Sequence, residues 1–95
     1  MNDINLDATT WRKRDDVYDA LLPALRAPAW HGRKLDALND SLGGDDLNEV
    51  RLPFRISIRN TRGIPPELLL YLRQFAEMVA DLKAHRGRII EIALN

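Results

Sequence analysis

Residues 51–59 read RLPFRISIR, and their alternation decides the fold. Leu52, Phe54, Ile56 and Ile58 fall on one side of an extended chain, with Arg51, Arg55, Ser57 and Arg59 on the other. That two-residue period is the mark of a strand with one buried face. Pro53 has no N–H to give a ladder, which predicts a place at the strand's start or on an edge. Downstream, the turn NTRGIP leads to Pro66, suited to the first turn of a helix. Leu68, Leu72, Phe75, Val79 and Leu82 then recur at helical spacing, predicting a long helix to about His85 that Gly87 ends. The apolar run RIIEIAL, 88–94, reads as a final strand. The roughly 25 residues between these two strands suit a parallel crossover.

Upstream, Asp3 to Leu6 alternates weakly and reads as a short strand able to pair with a stronger one. Asp15 or Asp16 can cap a helix whose apolar positions are Val17, Leu21, Leu22 and Leu25. Pro23 interrupts it, predicting a kink or an early end. Arg26 to Arg33 reads as a loop fixed by Pro28 and Gly32. A short helix starts near Lys34 and stops at Gly43-Gly44, a pair suited to a left-handed C-terminal turn. Strand, helices, strand, long helix, strand is the order of a single α/β layer with three parallel strands.

Composition narrows the class. The 95 residues have room for one domain, and 45% hydrophobic with 29% charged residues is a globular balance. No apolar run approaches the roughly 18 residues of a membrane span, and the start MNDINLDATTW lacks the features of a secretory signal. With no cysteine, the expectation is a cytoplasmic protein of bacterial type. His31 and His85 have no metal-ligand spacing, Ser41 and Ser57 sit in no nucleophile elbow, and Gly43-Gly44 lacks the lysine of a phosphate loop. The expectation is a binding protein without catalytic, metal or cofactor chemistry.

Fourteen basic and fourteen acidic residues cancel, but their distribution is uneven. Asp36, Asp40, Asp45, Asp46 and Glu49 follow one another without a base, and then Arg51, Arg55, Arg59 and Arg62 without an acid. In the short helix, Leu35, Leu38 and Leu42 form a narrow apolar stripe while Asp36, Asn39 and Asp40 share an adjacent arc. Like charges one turn apart weaken an isolated helix by roughly 0.2–0.5 kcal/mol. A solvated helix face is the plain explanation; the acidic run past the helix end, where the dipole opposes it, argues for a cationic partner instead. Trp30 beside this face is either a partly buried loop aromatic or an interface anchor.

The run PAWHGRKLDALNDSLGG, 28–44, resembles the central segment of the barstar family, inhibitors of barnase-type ribonucleases. Members have a proline, two aromatics, a glycine, then L-D-A-L-W-D-C-L and a glycine. The proline, aromatic, glycine, LDAL and second aspartate keep that spacing here without a gap. Weaker agreement extends over the whole chain. The resemblance implies an α/β fold, a three-stranded parallel sheet packed with about four helices. It also implies an inhibitor, not an enzyme, that plugs a nuclease active site with carboxylates in place of RNA phosphates. Asp40 matches the central carboxylate and Asp36 its neighbour, Trp30 an aromatic that packs on the enzyme, and Leu35, Gly43 and Gly44 smaller contacts. Asn39 stands where the family has a tryptophan, and Asp45 to Glu49 look inserted. The implied partner is a basic ribonuclease or nuclease toxin, bound one-to-one by a monomer through Trp30, Leu35, Asp36, Asn39, Asp40, Gly43, Gly44 and Asp45. The alternatives are a barstar-like scaffold for another protein, such as a toxin in an immunity pair, and RNA binding along the Arg51, Arg55, Arg59 face.

Overall fold

A computed structural model describes residues 2–27, 32–43 and 53–95. The chain runs through β1 (Asn2–Asp7), α1 (Arg14–Ala24), α2 (Leu35–Gly43), β2 (Phe54–Arg59), a 3-10 turn (Thr61–Gly63), α3 (Pro66–Arg86) and β3 (Ile90–Leu94). The three strands lie in the order β1-β2-β3, all parallel. Among the described residues there are three α-helices and one 3-10 turn, where about four helices were expected; the NTRGIP segment, with Asn60 at a positive φ of 62°, is too short and too bent for a helix of its own.

Register explains the core. Ile4 pairs with Ile56 and Ile56 with Ile92, and Leu6 pairs with Ile58 and Ile58 with Leu94, so one sheet face is a block of branched aliphatics. In the central strand Ile56 and Ile58 are fully buried. Helix residues Tyr18 and Leu21 of α1, Leu38 of α2, and Leu72 and Phe75 of α3 join the same cluster. The opposite face carries Asp3, Asn5, Asp7, Arg55 and Arg59, all exposed. Parallel sheets are commonly covered on both faces; among the described residues the helices cover one face of this sheet, in keeping with the clean alternation of FRISIR.

Several boundaries differ from the expected ones for local reasons. β2 begins at Phe54 with Pro53 just outside it, while Arg51 and Leu52 lie outside the described residues. α1 is capped at Lys13, not at Asp15 or Asp16; Asp16 acts from the third helical position, its carboxylate accepting from the N–H groups of Arg12 at 2.8 Å and Lys13 at 3.1 Å. Those two bonds hold the Asp16 carboxyl below its ordinary pKa.

Pro23 lies inside α1, near its end. The helix closes one residue later in a Schellman turn, with Ala27 N–H donating to Leu22 O and Arg26 N–H to Pro23 O, both at 3.0 Å. Arg26 takes the left-handed position of that turn at φ 55°, a conformation glycine adopts freely and arginine does not. α3 ends as expected at Gly87, φ 65°, whose N–H bonds Leu82 O.

Candidate functional site

α2 is built to show one face. Leu38 and Leu42 are sunk in the core, at 1% and 2% exposure, and Leu35 is half-buried against the same cluster. This fixes the helix's rotation, leaving Asp36 exposed and Asn39 half-exposed. Asp40 follows Asp36 by one turn in the same helix, and α2 continues through Gly43; the Asp40 side chain, and Trp30, Gly44 and Asp45 entirely, lie outside the described residues. The left-handed turn expected at Gly43-Gly44 therefore falls partly there as well.

Both ends of α2 are held by arginines from outside the helix. Before it, Arg33 reaches back to α1, with Nη2 at 2.8 Å from Asp19 Oδ1, Nη1 at 3.6 Å from Asp15 Oδ1, and Nη1 donating to Asp15 O at 3.2 Å. The Asp19 bond comes first among the interactions that raise the Arg33 pKa. These groups are about half exposed, so solvent screens the pair and its stabilisation is small. Its effect is positional: it fixes where the chain enters α2. Gly32 sits one residue earlier, and a Cβ there would lie 3.1 Å from Ala37 Cβ, so a side chain at this position would crowd the helix that the loop passes.

At the other end Arg88 Nε donates to Leu42 O at 3.1 Å. Leu42 O is one of the helix's last carbonyls, which have no intrahelical donor, and a guanidinium there also complements the negative end of the helix dipole. Arg88 comes from the segment between α3 and β3, 46 residues away in sequence. No sequence pattern pairs a residue before the last strand with the end of a helix so far upstream, and reading the sequence missed this contact. Arg33 was equally silent, being read only as part of a loop.

The arginine face of β2 is divided by its neighbours. Arg55 is the register partner of Glu91 on β3 and donates to Glu91 Oε2 through Nε at 3.2 Å and Nη2 at 3.0 Å, while Lys83 of α3 lies 3.5 Å from Oε1. Hydrogen bonds from Arg55, then Lys83, keep the Glu91 carboxyl below its ordinary pKa. Sequence proximity suggests Asp45, Asp46, Glu49 or a helix carboxylate as the partner of Arg55; the sheet gives it Glu91. A continuous basic stripe along the strand is therefore absent among the described residues.

In the core, the Tyr18 and Tyr71 hydroxyls bond each other between α1 and α3, and the Arg14 guanidinium lies 4.4 Å from the Tyr71 ring centroid. Burial, followed by the Tyr71 bond, pushes the Tyr18 phenol pKa up. Among the described residues, no cluster of three or more His, Cys, Asp or Glu side chains could hold a metal ion, and no helix is long and apolar enough to cross a membrane.

The geometry that remains is a short polar helix face, clamped at both ends and seated on a hydrophobic base, which suits a surface for a macromolecular partner. Comparison with known proteins gives a family model described as Barstar (barnase inhibitor), which matches residues 1–94. No curated protein matches the chain.

Proposed function

The chain belongs to the Barstar family, and from that premise we propose that it inhibits a barnase-type ribonuclease by placing the α2 face in the enzyme's active site. The observation that carries this reading is the fixed α2 itself. Its apolar stripe is buried, its ends are tied by Arg33 and Arg88, and Asp36 is directed to solvent. A preorganised carboxylate face loses little freedom on binding and meets the cationic groups that a ribonuclease uses to hold RNA phosphates. Asp36 and Asp40 supply the charge, Trp30 packs on the enzyme, and Leu35, Asn39, Gly43, Gly44 and Asp45 complete the contact. Carboxylates and guanidinium or ammonium groups brought this close form strong charge-assisted hydrogen bonds, and the long-range part of their attraction is screened, so affinity should fall as salt rises.

A second reading, a barstar-like scaffold for a different protein such as a toxin in an immunity pair, draws on Asn39, a small polar residue half-exposed in the centre of the face. RNA binding along β2 is disfavoured because Arg55 is already committed to Glu91. The test is titration into a barnase-type ribonuclease at two salt concentrations, following RNA cleavage. One-to-one inhibition that weakens with salt and is lost in Asp40→Ala supports the active-site plug. A folded protein that leaves cleavage untouched moves the partner elsewhere.

A further inference from the structure

The carboxyl ends of the three strands meet in a second feature, distinct from α2. β1 leads to Thr9, β2 ends at Arg59, just before Asn60, and β3 ends beside Asn95. Ala8 N–H bonds Arg59 O at 2.8 Å, Asn95 N–H bonds Ile58 O at 2.9 Å, and Asn95 O accepts from both the N–H and the hydroxyl of Thr61 at 2.9 Å. These bonds draw the strand ends and the 3-10 turn together around a pocket of about 530 Å³ lined by Thr9, Arg59, Asn60, Arg62, Gly63 and Asn95.

The two arginines distinguish it. Both are exposed, and among the described residues neither guanidinium takes part in a hydrogen bond or ion pair, unlike those of Arg33 and Arg55. Asp7 interacts with Arg59 through space only. Its Oδ1 is already engaged by Thr9 N–H at 2.9 Å, the Thr9 hydroxyl and Asn60 Nδ2 at 2.9 Å. Asp7 thus fixes the pocket's polar rim, and Arg59 and Arg62 both line the pocket with no such partner for their own side chains among the described residues.

We propose that Arg59 and Arg62 bind the phosphoryl group of a small phosphomonoester such as a nucleoside monophosphate, in a pocket whose rim is braced by the bonds of Thr9 and Asn60 to Asp7. Two guanidinium forks suit the pairs of oxygens that a phosphoryl group offers, and their charge, offset in part by the Asp7 carboxylate beside Arg59, attracts the roughly −1.5 to −2 that a phosphomonoester carries at neutral pH. The volume lies within the ~300–1,000 Å³ typical of small-ligand pockets and exceeds what a bare phosphate fills. Polar side chains line the remainder and can bond a sugar or base. α2 is tied to Arg88, at the opposite end of β3, roughly 20 Å away at strand rise. The pocket and α2 therefore occupy different parts of the fold, and this inference does not rest on the inhibitor reading.

The experiment is an NMR titration of the full chain at constant ionic strength with adenosine monophosphate, inorganic phosphate and adenosine in separate arms, repeated on an Arg59→Ala/Arg62→Ala variant and on Arg62→Gln. Saturable shifts of the Thr9, Asn60 to Gly63 and Asn95 amides with the monophosphate, absent with adenosine and weakened at least tenfold in the double variant, are expected. Tighter binding of the monophosphate than of phosphate supports a pocket that reads the organic part as well; equal binding overturns the monoester and leaves a site for the phosphoryl group alone. No saturable shift at these amides, or shifts unchanged in both variants with the rest of the spectrum native, overturns the site. Ribonuclease inhibition by the Arg62→Gln variant should match that of the parent, which separates the two questions.

Discussion

Arg88→Met removes the donor that closes the C-terminal end of α2 while keeping an unbranched stem. The bond lost is Arg88 Nε to Leu42 O, 3.1 Å and part-buried. Hydrogen bonds involving a charged group contribute about 1.5–3 kcal/mol, and because water can reach Leu42 O once the guanidinium is gone, the lower part of that range applies. The cation's interaction with the helix end adds about 0.3–1 kcal/mol, partly screened by salt. The loss should therefore be about 2 kcal/mol, confined at first to α2 because the Leu38 and Leu42 side chains remain buried and α2 still packs on α3. Native-state hydrogen exchange reads this directly. At about 1.4 kcal/mol per tenfold, the amides of Leu38 to Leu42 should exchange roughly 10–30 times faster, while those of Leu72 to Val79 in α3 change much less. If α2 is the partner face, affinity should fall by a similar order, since part of the binding energy must then reorder the helix. Exchange in α2 at the parent rate would refute the claim that Arg88 holds this helix, and equal acceleration throughout α3 would show that it acts on global stability instead.

Three further expectations rest on local geometry. Arg26→Gly should stabilise the protein by up to about 1 kcal/mol in a urea-unfolding experiment, because relief of a left-handed arginine outweighs the extra freedom glycine gives the unfolded chain. A loss of stability would mean that the Schellman turn depends on the Arg26 side chain. Tyr71→Phe strands the buried Tyr18 hydroxyl and should cost about 1–3 kcal/mol, with the Tyr18→Phe/Tyr71→Phe double variant recovering part of it; additive losses would show that the two hydroxyls are not coupled. Asp7 has its pKa lowered from 3.8 to about 2, chiefly by the Asn60 bond and then by Thr9. A depressed folded pKa stabilises above the unfolded value and loses that contribution as pH falls through the folded one. Stability should therefore drop between about pH 4 and pH 2, and Asp7→Asn should flatten this part of the profile measured by urea unfolding; an unaltered acid limb would contradict it.

Elements whose information is local could be read from residue order alone. Alternation in FRISIR, helical spacing from Leu68 to Leu82 and the glycine at 87 each act within a few residues, and the structure has β2, α3 and the left-handed cap where those patterns put them. The parallel order was legible too, because the stretch between β2 and β3 has to cross over to return in the same direction. Residues 28–44 also carried the family's spacing in unbroken order, enough to name the fold and point to α2. Pro23 and the aspartates of α1 were read less well: a proline announces disruption without saying whether the helix bends or stops, and a carboxylate can cap from either side of the helix start.

What only the tertiary structure decided are the partners that come from distant segments. Arg88 closes α2 from 46 residues away, Arg33 reaches Asp19 on the preceding helix, and Arg55 meets Glu91 because parallel register places them side by side. Each is a long, flexible, charged side chain whose choice of carboxylate or carbonyl depends on where the backbone has been carried, and local periodicity holds no record of that. The same holds for Arg59 and Arg62: in sequence they continue a basic run, and folding sets them apart by pairing Arg55 and leaving these two at the carboxyl end of the sheet, where three strands that are far apart in the chain finish together.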